Sequence, residues 1–137
     1  MYVRDHMTEN PVTVRAETSV SKALDLMNEN HFRYLPVTDQ DEKLTGILSR
    51  DLIHEFMLKK QSGMDRFQMY RFLSATRTKD IMIKDPKAVL QDAPLDEAAE
   101  MIRNMEVHAL PVIDEEGRVK GIITQGDILK ALVQKAG

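Results

Sequence analysis

The chain repeats itself at an offset of 75 residues, and this repeat limits the folds open to it. Asp5-His6-Met7 answers Asp80-Ile81-Met82, Pro11 answers Pro86, Val14 answers Val89, and Ala23 answers Ala98. Leu35-Pro36-Val37-Thr38-Asp39 then matches Leu110-Pro111-Val112-Ile113-Asp114, and Gly46-Ile47-Leu48-Ser49 matches Gly121-Ile122-Ile123-Thr124. No gap is needed between Asp5 and Ser49. Pro, Gly and Asp each place a different demand on the backbone, so their staying in step marks a duplication. A unit of about 55 residues is too small to hide both faces of a sheet, so the two copies are expected to pack together.

Each copy reads as strand, helix, strand, strand, helix. Val12-Thr13-Val14 and Ala88-Val89-Leu90 are the first strands. Thr18 or Ser19 caps the next helix, and Asp92 with Pro94 does so in copy two. Val20, Ala23, Leu24 and Met27 form one apolar stripe, as do Leu95, Ala98, Ala99, Ile102 and Met105. Residues 34–38 and 44–48 flank the polar turn Asp39-Gln40-Asp41-Glu42. Residues 109–113 and 119–123 flank a turn in which Gly117 is suited to positive φ. A last helix follows each hairpin, over residues 51–59 and from Asp127 through Leu132. Repeat one thus spans 1–58 and repeat two 79–137. The segment 59–78 between them is read as an extra helix packed on the module, with Met64, Phe67, Tyr70 and Leu73 at helical spacing.

Composition removes most chemistry. The chain has no Cys, which excludes disulfides, thiolate catalysis and Cys-based zinc sites. Its four His (His6, His31, His54 and His108) make no ligand spacing with one another or with a carboxylate. His31 and His54 read as solvated residues at helix ends. No phosphate-cradling Gly motif occurs, so a non-enzyme is expected. No apolar run approaches the roughly 20 residues that span a bilayer, and the first residues lack an apolar signal core. A cytoplasmic protein without membrane attachment is expected. With 19 Lys+Arg against 22 Asp+Glu, a net charge of −3, global capture of nucleic acid is not expected. One local exception is residues 54–79, where Lys59, Lys60, Arg66, Arg71, Arg77 and Lys79 stand against Glu55 and Asp65. Their charge and the aromatics Phe67, Tyr70 and Phe72 could serve a nucleic acid, but helical spacing of the aromatics favours their burial.

One polar pattern sits where a strand runs directly into a helix: Thr124-Gln125-Gly126-Asp127. A hydroxyl and a carboxylate three residues apart there can point at one small polar ligand. Taken alone, the pattern reads as helix capping, with Thr124 as N-cap and Asp127 in the first turn.

The order of elements, with Leu-Pro-Val-x-Asp before a hairpin and Gly-Ile-x-Ser/Thr before the last helix, resembles the CBS domain family. Two copies in tandem look like a CBS pair, or Bateman module, over about residues 3–53 and 79–132. The resemblance implies an α/β (α+β) fold of two pseudo-twofold βαββα repeats packed sheet to sheet, with two clefts between them. It implies a regulatory ligand that contains adenosine (AMP, ADP or ATP), with no obligatory cofactor. Thr124 and Asp127 match the family's ribose-binding pair, where a carboxylate accepts from adjacent hydroxyls. Thr8 and Val12 are implied to close that cleft, Val12 through backbone groups at the adenine edge. Arg33 and His108, three residues before each Leu-Pro-Val proline, are implied to face the phosphates. Ser49, Asp51 and Lys87 line the second, weaker cleft. There Ser49-Arg50-Asp51 reads as one residue shorter than Thr124-Gln125-Gly126-Asp127, which would turn the carboxylate by about 100°.

The opening Met-Tyr-Val-Arg-Asp-His-Met-Thr and the 66–74 insertion before Lys79-Asp80-Ile81-Met82 further resemble CBS-pair proteins of the acetoin-utilisation AcuB type. In those an ACT domain often follows the pair, so the chain is either a stand-alone module or a piece of a longer protein. A homodimer is expected, through apolar faces made by Ile53, Phe56 and Met57 and by Ile128 and Leu132. The alternative reading is a ligand-free dimerisation or interaction scaffold, with Phe56, Met57, Leu129 and Leu132 as its face.

Overall fold

The computed structural model describes residues 1–60 and 63–136. Among them the strands are β1 (Thr8–Glu9), β2 (Tyr34–Thr38), β3 (Leu44–Ser49), β4 (Ile83–Lys84), β5 (Val89–Leu90), β6 (Ala109–Ile113) and β7 (Val119–Thr124). The helices are α1 (Val20–Asn30), α2 (Arg50–Lys59), α3 (Arg66–Ala75), α4 (Leu95–Met105) and α5 (Gln125–Ala136). The fold is mixed α/β with two sheets, and α3 is the extra helix expected between the repeats.

The chain divides into two compact units. The first combines residues 1–11, 41–44 and 87–137. Its sheet runs in the order β1-β7-β6-β5, with β5 parallel to β6 and the other pairs antiparallel. Val3, Leu95, Ala98, Ile102, Leu110, Val112, Ile123 and Ala131 form its core. The second combines residues 12–40 and 45–86, with a sheet in the order β2-β3-β4. There Val20, Ala23, Met27, Leu35, Val37, Leu48, Ile53, Met69 and Leu73 are buried together. The stripe on α1 therefore faces a core, and so do Leu95, Ala98 and Ile102 on α4, whereas Met105 at the end of α4 is exposed.

Backbone conformation keeps the same offset as the sequence. Positive φ occurs at Asn10 and Asp85, at His31 and Glu106, and at Glu42 and Gly117. His31 and Glu106 end α1 and α4 in the left-handed conformation, their N–H groups donating to Met27 and Ile102 carbonyls. Asp5 and Asp80 accept from the Tyr2 and Arg77 N–H groups, which explains why Asp opens each repeat.

Several expectations need correction. Val12-Thr13-Val14 is not a strand of its own: only Val14 bridges, to Val37. Its counterpart Ala88-Val89-Leu90 does hold a strand, β5, parallel to β6, and ahead of these positions each repeat has a further short exposed strand, β1 and β4, with no alternation to read. Ser19, not Thr18, caps α1, accepting from the Lys22 N–H at 3.2 Å. Asp92 caps nothing, because its carboxylate pairs with Arg4 across the first unit. His54 lies within α2 rather than at its end. On α3, Met69 and Leu73 are buried, but Phe67 is 69 % exposed and Tyr70 48 %. Phe67 is open to solvent, while Tyr70, half-exposed, reaches α1 through its hydroxyl, which donates to Asp25 at 3.2 Å.

Candidate functional site

The start of α5 gathers four of the expected residues. β7 carries Thr124 to the helix, and its register with β6 places Thr124 opposite Ala109, next to His108. β1 lies on the other side of β7, with Thr8 opposite Ile122. Thr8 is therefore two residues from Thr124 along the sheet, about 7 Å. Gly121 makes this approach possible. A Cβ there would stand 2.6 Å from the Thr8 carbonyl oxygen and 2.6 Å from Met7 Sδ. Gly46 has the same relation to Met82 and the Ile83 carbonyl in the second unit.

Thr124 and Asp127 bond reciprocally. The Asp127 N–H donates to Thr124 Oγ1 at 3.1 Å, and the Thr124 N–H donates to Asp127 Oδ2 at 2.9 Å. This is the cap that the sequence pattern suggests, and it also suits the positive end of the helix dipole. It leaves two groups free to act. The Thr124 hydroxyl accepts within the cap, so its proton is left to donate outward. Among the described residues, Asp127 Oδ1 receives no hydrogen bond. Both side chains are half-buried. A neutral polyol with adjacent hydroxyls matches such a carboxylate, since each hydroxyl donates to an acceptor already fixed in place.

His108 is exposed beside this cap. The Gln125 N–H donates to the His108 carbonyl at 2.9 Å, and His108 Nδ1 lies 3.1 Å from Gln125 Oε1. Gln125 is a residue that sequence reasoning missed; its place directly after the Thr124 N-cap is the signal that would have found it. Lys87 is exposed just ahead of β5 in the same unit.

The remaining expected residues belong to the second unit. The Arg50 N–H donates to the Arg33 carbonyl at 2.9 Å, and Arg33 Nη2 lies 3.9 Å from Asp51 Oδ1, both side chains open to solvent. Burial raises the Tyr34 hydroxyl pKa beside them, with Arg33 opposing and Asp51 adding to the rise. Val12 is half-buried against the second core. Ser49 caps α2, accepting from the Leu52 N–H at 3.0 Å. Here the expected deletion is corrected. Ser49 accepts from the residue three on, as Thr124 does, so α2 and α5 start in the same register and no residue is missing. Leu52 stands where Asp127 stands, and Asp51 sits one position earlier, matching Gly126. Copy one keeps a first-turn carboxylate, Asp51, but one position too early to form the reciprocal cap that Asp127 makes with Thr124.

The profile of the CBS domain matches residues 3–59 and 79–134. The chain belongs to the CBS-domain family. It is 38 % identical to inosine-5'-monophosphate dehydrogenase of Aquifex aeolicus over 125 residues, 90 % of this chain. The chain spans only 23 % of that enzyme's length, and the matched part is CBS repeats, not the catalytic domain. Among solved structures it resembles CBSX2 in complex with AMP, at 28 % identity and a TM-score of 0.83, covering 99 % of this chain and 98 % of that one. It also resembles an AcuB, a putative acetoin utilization protein of Vibrio cholerae, at 25 % identity and a TM-score of 0.79, covering 99 % and 93 %. No described helix is long and apolar enough to cross a membrane.

Proposed function

We propose that this CBS pair is a non-catalytic regulatory module that binds an adenosine nucleotide (AMP, ADP or ATP) at the start of α5. The observation that carries the reading is the Thr124–Asp127 cap, which fixes a carboxylate and a hydroxyl while leaving an acceptor oxygen and a hydroxyl proton for a ligand. The likeness to a CBS protein solved with AMP supports the choice of adenosine. Asp127 and Thr124 take the ribose hydroxyls, Thr8 borders them, and His108 donates to phosphate when protonated. Val12 and Arg33, in the second unit, keep the adenine-edge and phosphate roles that the resemblance implies, each testable by its own substitution. Ser49, Asp51 and Lys87 make at most a weaker site, since Leu52 offers a ribose nothing to accept its hydroxyls. Regulation follows from linkage: a ligand that favours one arrangement of the module shifts its population. The module is taken to be cytoplasmic and homodimeric.

Calorimetric titration with AMP, ADP, ATP, NAD and S-adenosylmethionine tests the reading. Heat and a raised melting temperature are expected with at least one of the first three. No response to any of the five at millimolar ligand would sink it. The exposed apolar residues of α5 favour a second reading, a ligand-free scaffold. Melting that ignores nucleotides but rises steeply with protein concentration would select it.

A further inference from the structure

A cavity of about 240 Å³ opens between α2 and α3 in the second unit, lined by His54, Met57, Leu58 and Met69. The nucleotide reading makes no use of it. Three of these four side chains carry a lone pair able to bind a metal: one imidazole and two thioethers. His54 and Met57 are three residues apart on α2, a spacing that sets their Cβ atoms about 5–6 Å apart on one face. Met69 comes from α3, and Phe72 of that helix stacks on Phe56 of α2 with ring centres 5.6 Å apart. Two packed helices, rather than a loop, therefore present the three donors.

Packing alone does not ask for this wall. At the offset of 75, repeat two has Leu129 and Leu132 where repeat one has His54 and Met57. A leucine serves the helix at each place, so the imidazole answers no demand of the fold. No neighbour uses it either: His54 is exposed, and among the described residues no hydrogen bond or ion pair reaches its ring. The thioethers are held in place, since Met69 is buried in the second core and Met57 packs against it. The same packing corrects the expected dimer face. Ile53 is fully buried, and Phe56 and Met57 join the cluster that holds α3, so that half of the face is covered within the chain.

The donor set selects the ion. Thioethers are soft and polarisable and suit Cu(I), which imidazole suits as well, whereas Mg²⁺, Ca²⁺ and Zn²⁺ favour oxygen, nitrogen or thiolate donors. No carboxylate lines the cavity, so nothing there offsets a second positive charge beside an apolar core. We propose that His54, Met57 and Met69 form a site for a soft monovalent metal ion, Cu(I), bound through one imidazole nitrogen and two thioether sulfurs. The site shares no residue with the Thr124–Asp127 cap and holds whether or not a nucleotide binds.

Anaerobic titration of Cu(I) alone into the full chain, against a chromogenic Cu(I) chelator such as bicinchoninate, tests it. One Cu(I) per chain is expected, with a raised melting temperature and an X-ray absorption spectrum showing sulfur and imidazole nitrogen around the metal. His54→Leu installs the residue that repeat two uses, and Met57→Leu and Met69→Leu nearly conserve volume, so the metal-free variants should melt close to wild type. Each should bind Cu(I) about tenfold or more weakly, no less than when a group that merely orients a metal ligand is lost. Equimolar Zn(II) should leave the bound Cu(I) in place. Failure of the wild-type chain to retain Cu(I) against the chelator would overturn the assignment. So would equal Cu(I) affinity in wild type and all three variants, or displacement of Cu(I) by Zn(II). The absorption spectrum of the wild-type complex decides without any variant: a metal shell lacking sulfur would exclude Met57 and Met69.

Discussion

The carboxylate of Asp127 gives one oxygen to the Thr124 N–H at 2.9 Å, so capping and ligand binding draw on different atoms of the same side chain. A cap here is thus no argument against a site. Gly121 acts at the same scale by bringing Thr8 close to β7. Gly121→Ala places a methyl group 2.6 Å from a backbone oxygen that no rotamer change can move aside. The variant should lose about 1–3 kcal/mol of stability in urea denaturation. A loss below about 0.5 kcal/mol would show that β1 yields freely. Glu106 offers the reverse case. Its φ of 54° is costly for a side chain bearing a Cβ, so Glu106→Gly should stabilise by about 0.5–1 kcal/mol. An unchanged or lower melting temperature would contradict that reading of the α4 end.

Elements with a strong period were legible, and elements held by distant partners were not. α1 follows from Val20, Ala23, Leu24 and Met27, because burial of one helical stripe needs only local spacing. β1 and β4 are two residues each and exposed; what makes them strands is a glycine on another strand, far along the chain. Asp92 looked like a cap because its partner Arg4 is 88 residues away. Phe67 and Tyr70 showed helical period, but period alone does not tell which side of α3 meets a core. Leu52 was within reach: carrying the offset three residues past Ser49 aligns it with Asp127. The hairpin between β6 and β7 adds a pH-dependent element. Asp114 Oδ1 accepts from the Arg118 N–H at 3.0 Å and the Glu116 N–H at 2.8 Å, and these bonds, aided by Lys120, lower its pKa against a smaller desolvation effect. A depressed carboxylate pKa contributes stability above its unfolded value, and that stability is lost as pH falls through the folded value. Asp114→Asn should therefore lower the melting temperature at neutral pH and narrow the gap to wild type near about pH 3. An equal deficit at both pH values would assign the loss to geometry rather than charge.

For the whole molecule, the two repeats share a backbone plan but differ at the starts of their last helices. α5 begins with a Thr–Asp cap, whereas α2 begins with Ser49 and Leu52 in the matching places. One ligand per chain is the expected stoichiometry. The helical faces are unequal too: α3 packs on α1 and α2, whereas among the described residues Leu129, Leu132 and Val133 of α5 are exposed. The central claim rests on Asp127, and one paired measurement addresses it. AMP is titrated calorimetrically into the wild-type chain and into Asp127→Ala, with both melted in the absence of ligand to separate binding from the loss of a cap. The account predicts close to one AMP per wild-type chain and binding weakened about ten- to a hundredfold in the variant, as befits a lost charged contact of about 1.5–3 kcal/mol. Equal AMP affinity in the two chains, with only the melting temperature lowered in Asp127→Ala, would contradict it and leave Thr124 and Asp127 as caps alone.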